Sequence, residues 1–149
     1  MRVILAALLA ALFFGYRALT SAALDGSVWG VRMRAKAVFA LPKKDTLVFD
    51  RGRFTSTRHL SSGYLPAGYA ALDQAGDRRS FSSSLLRGDG NVLDWSGEVR
   101  GDRMKGTVLL TRADGRRTRY SFRGRRQESP PPTATYWRRR LAALWQRYS

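Results

Sequence analysis

The sequence predicts an all-β domain, a small up-and-down antiparallel barrel of about eight strands. An N-terminal signal or anchor segment precedes it, and a C-terminal amphipathic helix follows. Three observations carry the prediction. Between Asp25 and Arg125 apolar residues recur at alternate positions in short runs, the period of a strand with one dry and one wet face. Gly, Asp and Asn separate the runs at the close intervals that hairpins need. No helical period occurs among them. A flat meander of that length would leave two unpaired edges and one exposed apolar face, and closure removes both problems. A two-sheet sandwich is the competing architecture, less favoured because the connections look local.

The predicted strands follow in order. Trp29, Val31, Met33 and Ala35 share an inward face, with Arg32, Arg34 and Lys36 opposite. Leu47 and Phe49 lead into the hairpin-type turn Asp50-Arg51-Gly52-Arg53, after which Phe54, Ser56 and Arg58 alternate. Leu60 to Gly68 is the longest irregular stretch, suited to a loop at a barrel rim. Tyr69 to Gln74 is a weaker strand, turned by Ala75-Gly76-Asp77. Phe81, Ser83 and Leu85 end at Arg87-Gly88-Asp89-Gly90-Asn91, and Leu93, Trp95, Gly97 and Val99 end at Arg100-Gly101-Asp102. Met104, Gly106, Val108 and Leu110 continue to Ala113-Asp114-Gly115-Arg116. In the last strand Thr118, Tyr120, Phe122 and Gly124 face in, and Arg117, Arg119, Arg123 and Arg125 face out. The inward glycines Gly97, Gly106 and Gly124 fit tight curvature or close backbone approach.

Around this domain (24–126) the chain divides further. In residues 1–23, Arg2 precedes the apolar run Val3 to Tyr16, and Ser21-Ala22-Ala23 offers small residues for cleavage. Arg17 lies between run and cleavage site, so an uncleaved anchor stands beside a removable signal; either places the rest outside the cytoplasm. Residues 127–135 hold Pro130-Pro131-Pro132, a stiff extended linker. Residues 136–149 read as a basic helix with Trp137, Leu141, Leu144, Trp145 and Tyr148 on one stripe and Arg138, Arg139 and Arg147 away from it. That helix fits either an anionic membrane interface or a partner, or packs back over an open barrel end.

Charge sets the class of partner. Lys and Arg total 27 against 11 Asp plus Glu, a formal charge of +16. Loss of Arg2 and Arg17 with a cleaved signal leaves +14. Such an imbalance implies attraction to anionic lipid, acidic envelope polymer or nucleic acid. If strand eight pairs with strand one, Arg32, Arg34, Arg103, Lys105, Arg117, Arg119, Arg123 and Arg125 share one outer surface, a candidate anion-binding face. A solvated, counterion-screened face is the alternative account of the same residues. Nucleic acid is a weaker reading, because Trp29, Trp95, Tyr120 and Phe122 fall on the core side instead of interleaving with the bases.

Chemistry is sparse. The absence of Cys excludes disulfides, thiolate catalysis, Cys-based zinc sites and lipidation at a lipobox cysteine. No metal-ligand spacing or cofactor motif is present, and no catalytic constellation emerges. The single histidine, His59, would serve a hydrolase or isomerase only beside a carboxylate in a pocket. Asp94 and Glu98, outward on strand six, suit salt bridges with strand-seven bases such as Lys105. Two Arg-Gly-Asp triplets, at Arg87 and Arg100, fall where turns are needed.

Gly26-Ser27-Val28-Trp29 heading the first strand, sequential hairpins and an Arg-bearing last strand resemble the lipocalin-like, or calycin, barrels. The resemblance implies that Trp29 lies at a closed barrel end with Arg123 or Arg125 over its indole. It also implies a small apolar ligand in the cup, which Trp29, Trp95, Met104, Tyr120 and Phe122 would line. The chain departs from the pattern in its Gly-x-x-Trp spacing and in lacking a matching long helix after the barrel. A barrel this small can instead be filled by its own side chains.

Overall fold

A computed structural model describes residues 24–36, 39–128, 139, 141–143 and 145–147. The segment 1–23, Pro130-Pro131-Pro132, and Trp137, Arg138, Leu144 and Tyr148 of the terminal stripe lie outside the described residues.

Alternation along the chain yields eight antiparallel strands: β1 (Ser27–Ala35), β2 (Lys43–Asp50), β3 (Arg53–Ser56), β4 (Ala67–Asp73), β5 (Arg78–Leu86), β6 (Val92–Arg100), β7 (Arg103–Thr111) and β8 (Arg117–Arg126). They close in sequence order, and β8 returns to pair with β1 from Trp29↔Arg126 to Ala35↔Tyr120. Closure gives every strand a neighbour on both sides, the β3–β4 seam being the shortest with two register pairs. The barrel is the predicted one, and the sandwich is not formed.

One prediction fails locally. Arg58 does not continue the third strand, because Thr57–Leu60 forms a single helical turn, α1. Ser56 ends β3 and caps that turn, its hydroxyl accepting from the His59 N–H at 3.3 Å. Leu60 is thereby turned inward and fully buried at the barrel mouth. A side chain that can satisfy the backbone locally competes with the ladder, which is why Ser-Thr at this point stops a strand.

The inward set is the core: Trp29, Val31, Met33, Leu47, Phe49, Phe54, Phe81, Leu85, Leu93, Trp95, Val99, Met104, Val108 and Phe122 are buried, with Tyr120 partly so. Aromatic rings fill the middle. Phe49 meets Phe54 and Phe81 at 5.1 Å, and Trp95 meets Phe54 and Phe122 at 5.2 Å, all in tilted or edge-on geometry. The inward glycines make room for them. Met33, Phe122, Gly106, Gly97 and Phe81 are successive partners around the wall, so the two phenyl rings lie across the two empty positions. A Cβ on Gly97 would strike the rings of Phe81 and Phe122, and one on Gly106 would strike the Ser96 carbonyl oxygen.

The barrel has two unlike rims. At the first, where the chain enters and leaves, Asp25 ties the wall together: its carboxylate accepts the Gly52 N–H at 3.0 Å and the Tyr69 hydroxyl at 2.7 Å. Burial first, and the hydrogen bond to Asp25 second, raise the Tyr69 pKa well above its ordinary 10.0. The unfolded chain would lose that proton near pH 10 while the folded one holds it. Stability should therefore fall as pH rises past 10. Urea midpoints between pH 9 and 11 should decline more steeply for the wild type than for Tyr69→Phe.

The second rim carries the β1–β2, β3–β4, β5–β6 and β7–β8 connections. Asn91 links two of them by accepting the Ala113 N–H at 3.0 Å. Its only exposed acids, Asp89 and Asp114, are each clamped by an arginine two positions away, Arg87 and Arg116. The Arg87 guanidinium holds the Asp89 carboxyl down at about 2.

Candidate anion-binding site

Strand register decides which charges meet. Lys44, Arg32, Arg123 and Lys105 are direct partners across β2, β1, β8 and β7, all on the outer face, forming an unbroken row of four cations. One step toward the first rim, Arg125, Arg103, Arg100 and Arg78 are partners across β8, β7, β6 and β5. Neighbouring strands lie about 4.8 Å apart, and alternate residues along a strand about 6.8 Å, so each basic residue leaves the wall next to other basic residues. Carboxylates meet this wall on its β6 side: Glu98 stands directly opposite Lys105 and lies 3.8 Å from Arg78, and Asp77 lies 3.5 Å from Arg100.

One step toward the second rim the charge stops. Ser121, Thr107, Ser96 and Ser82 are partners across β8, β7, β6 and β5, a band of hydroxyls that begins beside Arg34 on β1. Beyond it Arg119 faces Leu109, and Arg117 faces Thr111. The eight residues predicted for the anion face are therefore all outward on one side of the barrel. They divide into a dense group (Arg32, Arg103, Lys105, Arg123, Arg125) and a sparser one (Arg34, Arg117, Arg119) across the hydroxyl band. Alternation alone did not identify Lys44, Arg78 or Arg100 as members, because only the register joins them.

Two expected contacts are replaced by others. Asp94 and Glu98 were expected to bridge to β7. Glu98 does stand directly opposite Lys105 on β7, but its ion pair is with Arg78 on β5, and Asp94 accepts from the Ser84 hydroxyl at 2.5 Å, also on β5. Arg123 and Arg125, expected over the Trp29 indole, point outward instead. Trp29 is paired with Arg126, and the two line one recess at the first rim. Parity explains the shift: Phe122, Gly124 and Arg126 share the face opposite to Arg123 and Arg125, with Arg126 exposed at the strand end. Trp29 itself donates its indole N–H to the Ser27 hydroxyl at 2.9 Å.

The polar cluster around His59 is a second candidate. His59 lies beside a carboxylate, as a catalytic reading requires, with its Nδ1 3.5 Å from Asp45 Oδ2 and 2.7 Å from Ser56 Oγ. Asp45 is buried, its Oδ1 accepting the N–H groups of Thr46 (2.7 Å) and Arg58 (3.0 Å) and its Oδ2 the Ser56 hydroxyl. The serine stands between acid and imidazole and has no solvent exposure. Its proton goes to Asp45, so it accepts from His59 and fixes the imidazole proton on Nδ1. A nucleophile would need its hydroxyl aimed at the imidazole and open to substrate. This arrangement holds α1 against β2. Asp45 escaped the sequence reading although it alternates in phase with Leu47 and Phe49, a signal for an inward carboxylate.

The five residues named for an interior ligand all belong to the core, from Trp29 near the first rim to Tyr120 toward the second: Trp29, Trp95, Met104 and Phe122 are buried, and Tyr120 is half-buried. Trp95 and Phe122 pack on each other, and the rest lie in or against the same core. Trp95 Nε1 has no hydrogen-bond partner there.

Of the terminal stripe, Leu141 is partly buried and Trp145 is 41% exposed. Residues 141–143 and 145–147 are helical, and Leu141, Ala143 and Arg147 border a groove of about 780 Å³ with Gly30, Arg32, Lys44 and Arg58. These described helical residues thus share a groove with the side wall of β1 and β2. Gln127 is held to the same wall, its backbone N–H bonded to the Val28 carbonyl at 2.8 Å and its side chain lying over Gly30. Among the described residues no helix is long and apolar enough to cross a membrane, and no cluster of acids and histidines could hold a metal.

Comparison with protein-family models, curated proteins and solved structures gave no match.

Proposed function

We propose that the chain is an extracytoplasmic, non-enzymatic binding module whose basic barrel wall engages anionic envelope polymers or lipid surfaces. The observation that carries this reading is the row Lys44–Arg32–Arg123–Lys105, four like charges set directly opposite one another. Like charges in direct cross-strand register destabilise a sheet. A bound polyanion offsets that cost, and its affinity would be mostly electrostatic. The extracytoplasmic assignment rests on the sequence of residues 1–23.

The row makes an opposed pair of expectations for one substitution. Arg123→Glu places a carboxylate between Arg32 and Lys105, which should stabilise the fold by about 0.2–1 kcal/mol per new opposite-charge pair. The same change should weaken sedimentation with anionic vesicles about tenfold at low salt, an effect that fades toward 0.5 M salt. Wild-type protein that sediments equally with neutral and anionic vesicles would overturn the reading.

Membership among the lipocalin-like barrels is kept as part of the proposal, supported by the sequential closed topology and by Trp29 lying buried beside Arg126. The carrier function known for that family draws less support, because aromatic rings in mutual contact occupy the interior. Nucleic acid draws less still, since the aromatics that would stack on bases are inside.

A further inference from the structure

Six large hydrophobic side chains are well exposed among the described residues, and four of them, Phe39, Leu41, Leu65 and Leu86, belong to the second rim. Phe39 is 94% exposed and Leu41 84%. Both sit in the β1–β2 connection, where a hairpin needs only turn residues such as Gly, Asn, Asp or Ser. The chain instead runs Lys36-Ala37-Val38-Phe39-Ala40-Leu41-Pro42-Lys43-Lys44, six apolar residues bracketed by lysines. Leu65 and Leu86 adjoin each other through a backbone bond of 3.1 Å on the same rim. Acids are partnered at both rims, Asp50, Asp73 and Asp77 with Arg51, Arg79 and Arg100 at the first and Asp89 and Asp114 with Arg87 and Arg116 at the second, so the group of exposed apolar side chains is what sets the second rim apart.

An exposed apolar patch edged by cations has the composition of a membrane-surface site. The rest of the barrel narrows how it would be used. Charge and hydroxyls face outward and apolar groups inward, the reverse of a membrane-spanning barrel. The wall cannot enter hydrocarbon, so only a rim can. We propose that the second rim docks on an anionic phospholipid bilayer, with Phe39 and Leu41 inserted below the head groups and Lys36, Lys43 and Lys44 against the lipid phosphates. Lysine stems extend far enough to keep their charges at head-group level while an adjacent phenyl ring sits deeper. Charge complementarity selects this occupant, because lysines on both sides of the apolar six favour a negatively charged surface over a neutral apolar partner. The inference rests on the anionic-surface reading above and adds which end of the barrel touches lipid, and through which residues.

The absence of native cysteine makes single-site labelling clean. In the full chain, Leu41→Cys would carry a polarity-sensitive fluorophore, with Asp77→Cys on the opposite rim as control. Vesicles of phosphatidylcholine, with and without phosphatidylglycerol, are the probe. The label at position 41 should shift to the blue only with phosphatidylglycerol present and be quenched by brominated acyl chains, while the label at 77 should do neither. Phe39→Ser combined with Leu41→Ser should weaken vesicle binding about tenfold or more and leave the unfolding midpoint unchanged, since both side chains are already in water. Co-sedimentation with an unshifted label at 41 overturns rim docking and spares the anionic wall. Failure to sediment with phosphatidylglycerol vesicles at low salt overturns both. A blue shift without lipid that grows with protein concentration assigns the patch to a second copy of the chain and overturns the lipid assignment.

Discussion

Gly106→Ala is expected to destabilise the barrel by about 3 kcal/mol or more, at the upper end of overpacking effects. The added methyl would collide with the Ser96 carbonyl oxygen and lie 2.6 Å from the Gly97 Cα, both of which are backbone. Backbone in a closed ladder cannot rotate aside, so relief requires the β6–β7 pairing to shift, and every strand is coupled to the next around the ring. Gly124→Ala meets the Gly30 carbonyl oxygen and the Val31 Cα in the same manner and should behave alike. Gly97→Ala instead meets the rings of Phe81 and Phe122, which can yield, and should cost less, about 1–3 kcal/mol. Gly88, with nothing within 4 Å and no left-handed backbone, is the control, and its alanine variant should stay within about 0.5 kcal/mol of wild type. Urea unfolding midpoints test the ranking, and a Gly106→Ala protein that unfolds with Gly88→Ala would refute the tight corner.

Asp45→Ala should cost about 3–5 kcal/mol. The carboxylate is inside the barrel and accepts from two backbone N–H groups and the Ser56 hydroxyl; its loss leaves those donors buried without partners. Asp45→Asn keeps one oxygen for the N–H groups of Thr46 and Arg58 and turns an NH2 toward Ser56, so about 1–3 kcal/mol is expected. Ser56→Ala removes the cap of α1 together with the hydroxyl between acid and imidazole, for about 1–2 kcal/mol. Denaturant curves for the three variants should follow that order. An Asp45→Ala protein as stable as Ser56→Ala would mean the carboxylate does not organise the rim.

Much of the architecture was legible because alternation is a local signal. Trp29-Val31-Met33, Leu93-Trp95-Gly97-Val99 and Tyr120-Phe122-Gly124 each declare their face without knowledge of any neighbour. Where a side chain competes with the ladder for backbone bonds, as Ser56 does, alternation misleads, and Arg58 was placed on a strand that had already ended. The candidate wall was half legible. Outward arginines follow from parity, but the row Lys44–Arg32–Arg123–Lys105 exists only through register, a long-range property that no single strand encodes. The acids of β6 were half legible: Glu98 stands opposite Lys105 as alternation implies, while its ion pair and the Asp94 hydrogen bond go to β5. The apolar six between Lys36 and Lys43 was visible in the sequence as a connection without turn chemistry, and its weight became clear only when strand order placed Phe39 and Leu41 on the same rim as the exposed Leu65 and Leu86.

Seven of the eight strand pairings join chain neighbours, and the eighth joins residues 85 to 97 positions apart. Loop-closure entropy places that pairing late in folding, after a ribbon of consecutive strands has formed. Arg32 and Arg123 face each other across that joint, so the final zipping step brings guanidinium to guanidinium. A multivalent anion laid over the joint would act as a clasp, slowing its reopening more than it speeds assembly.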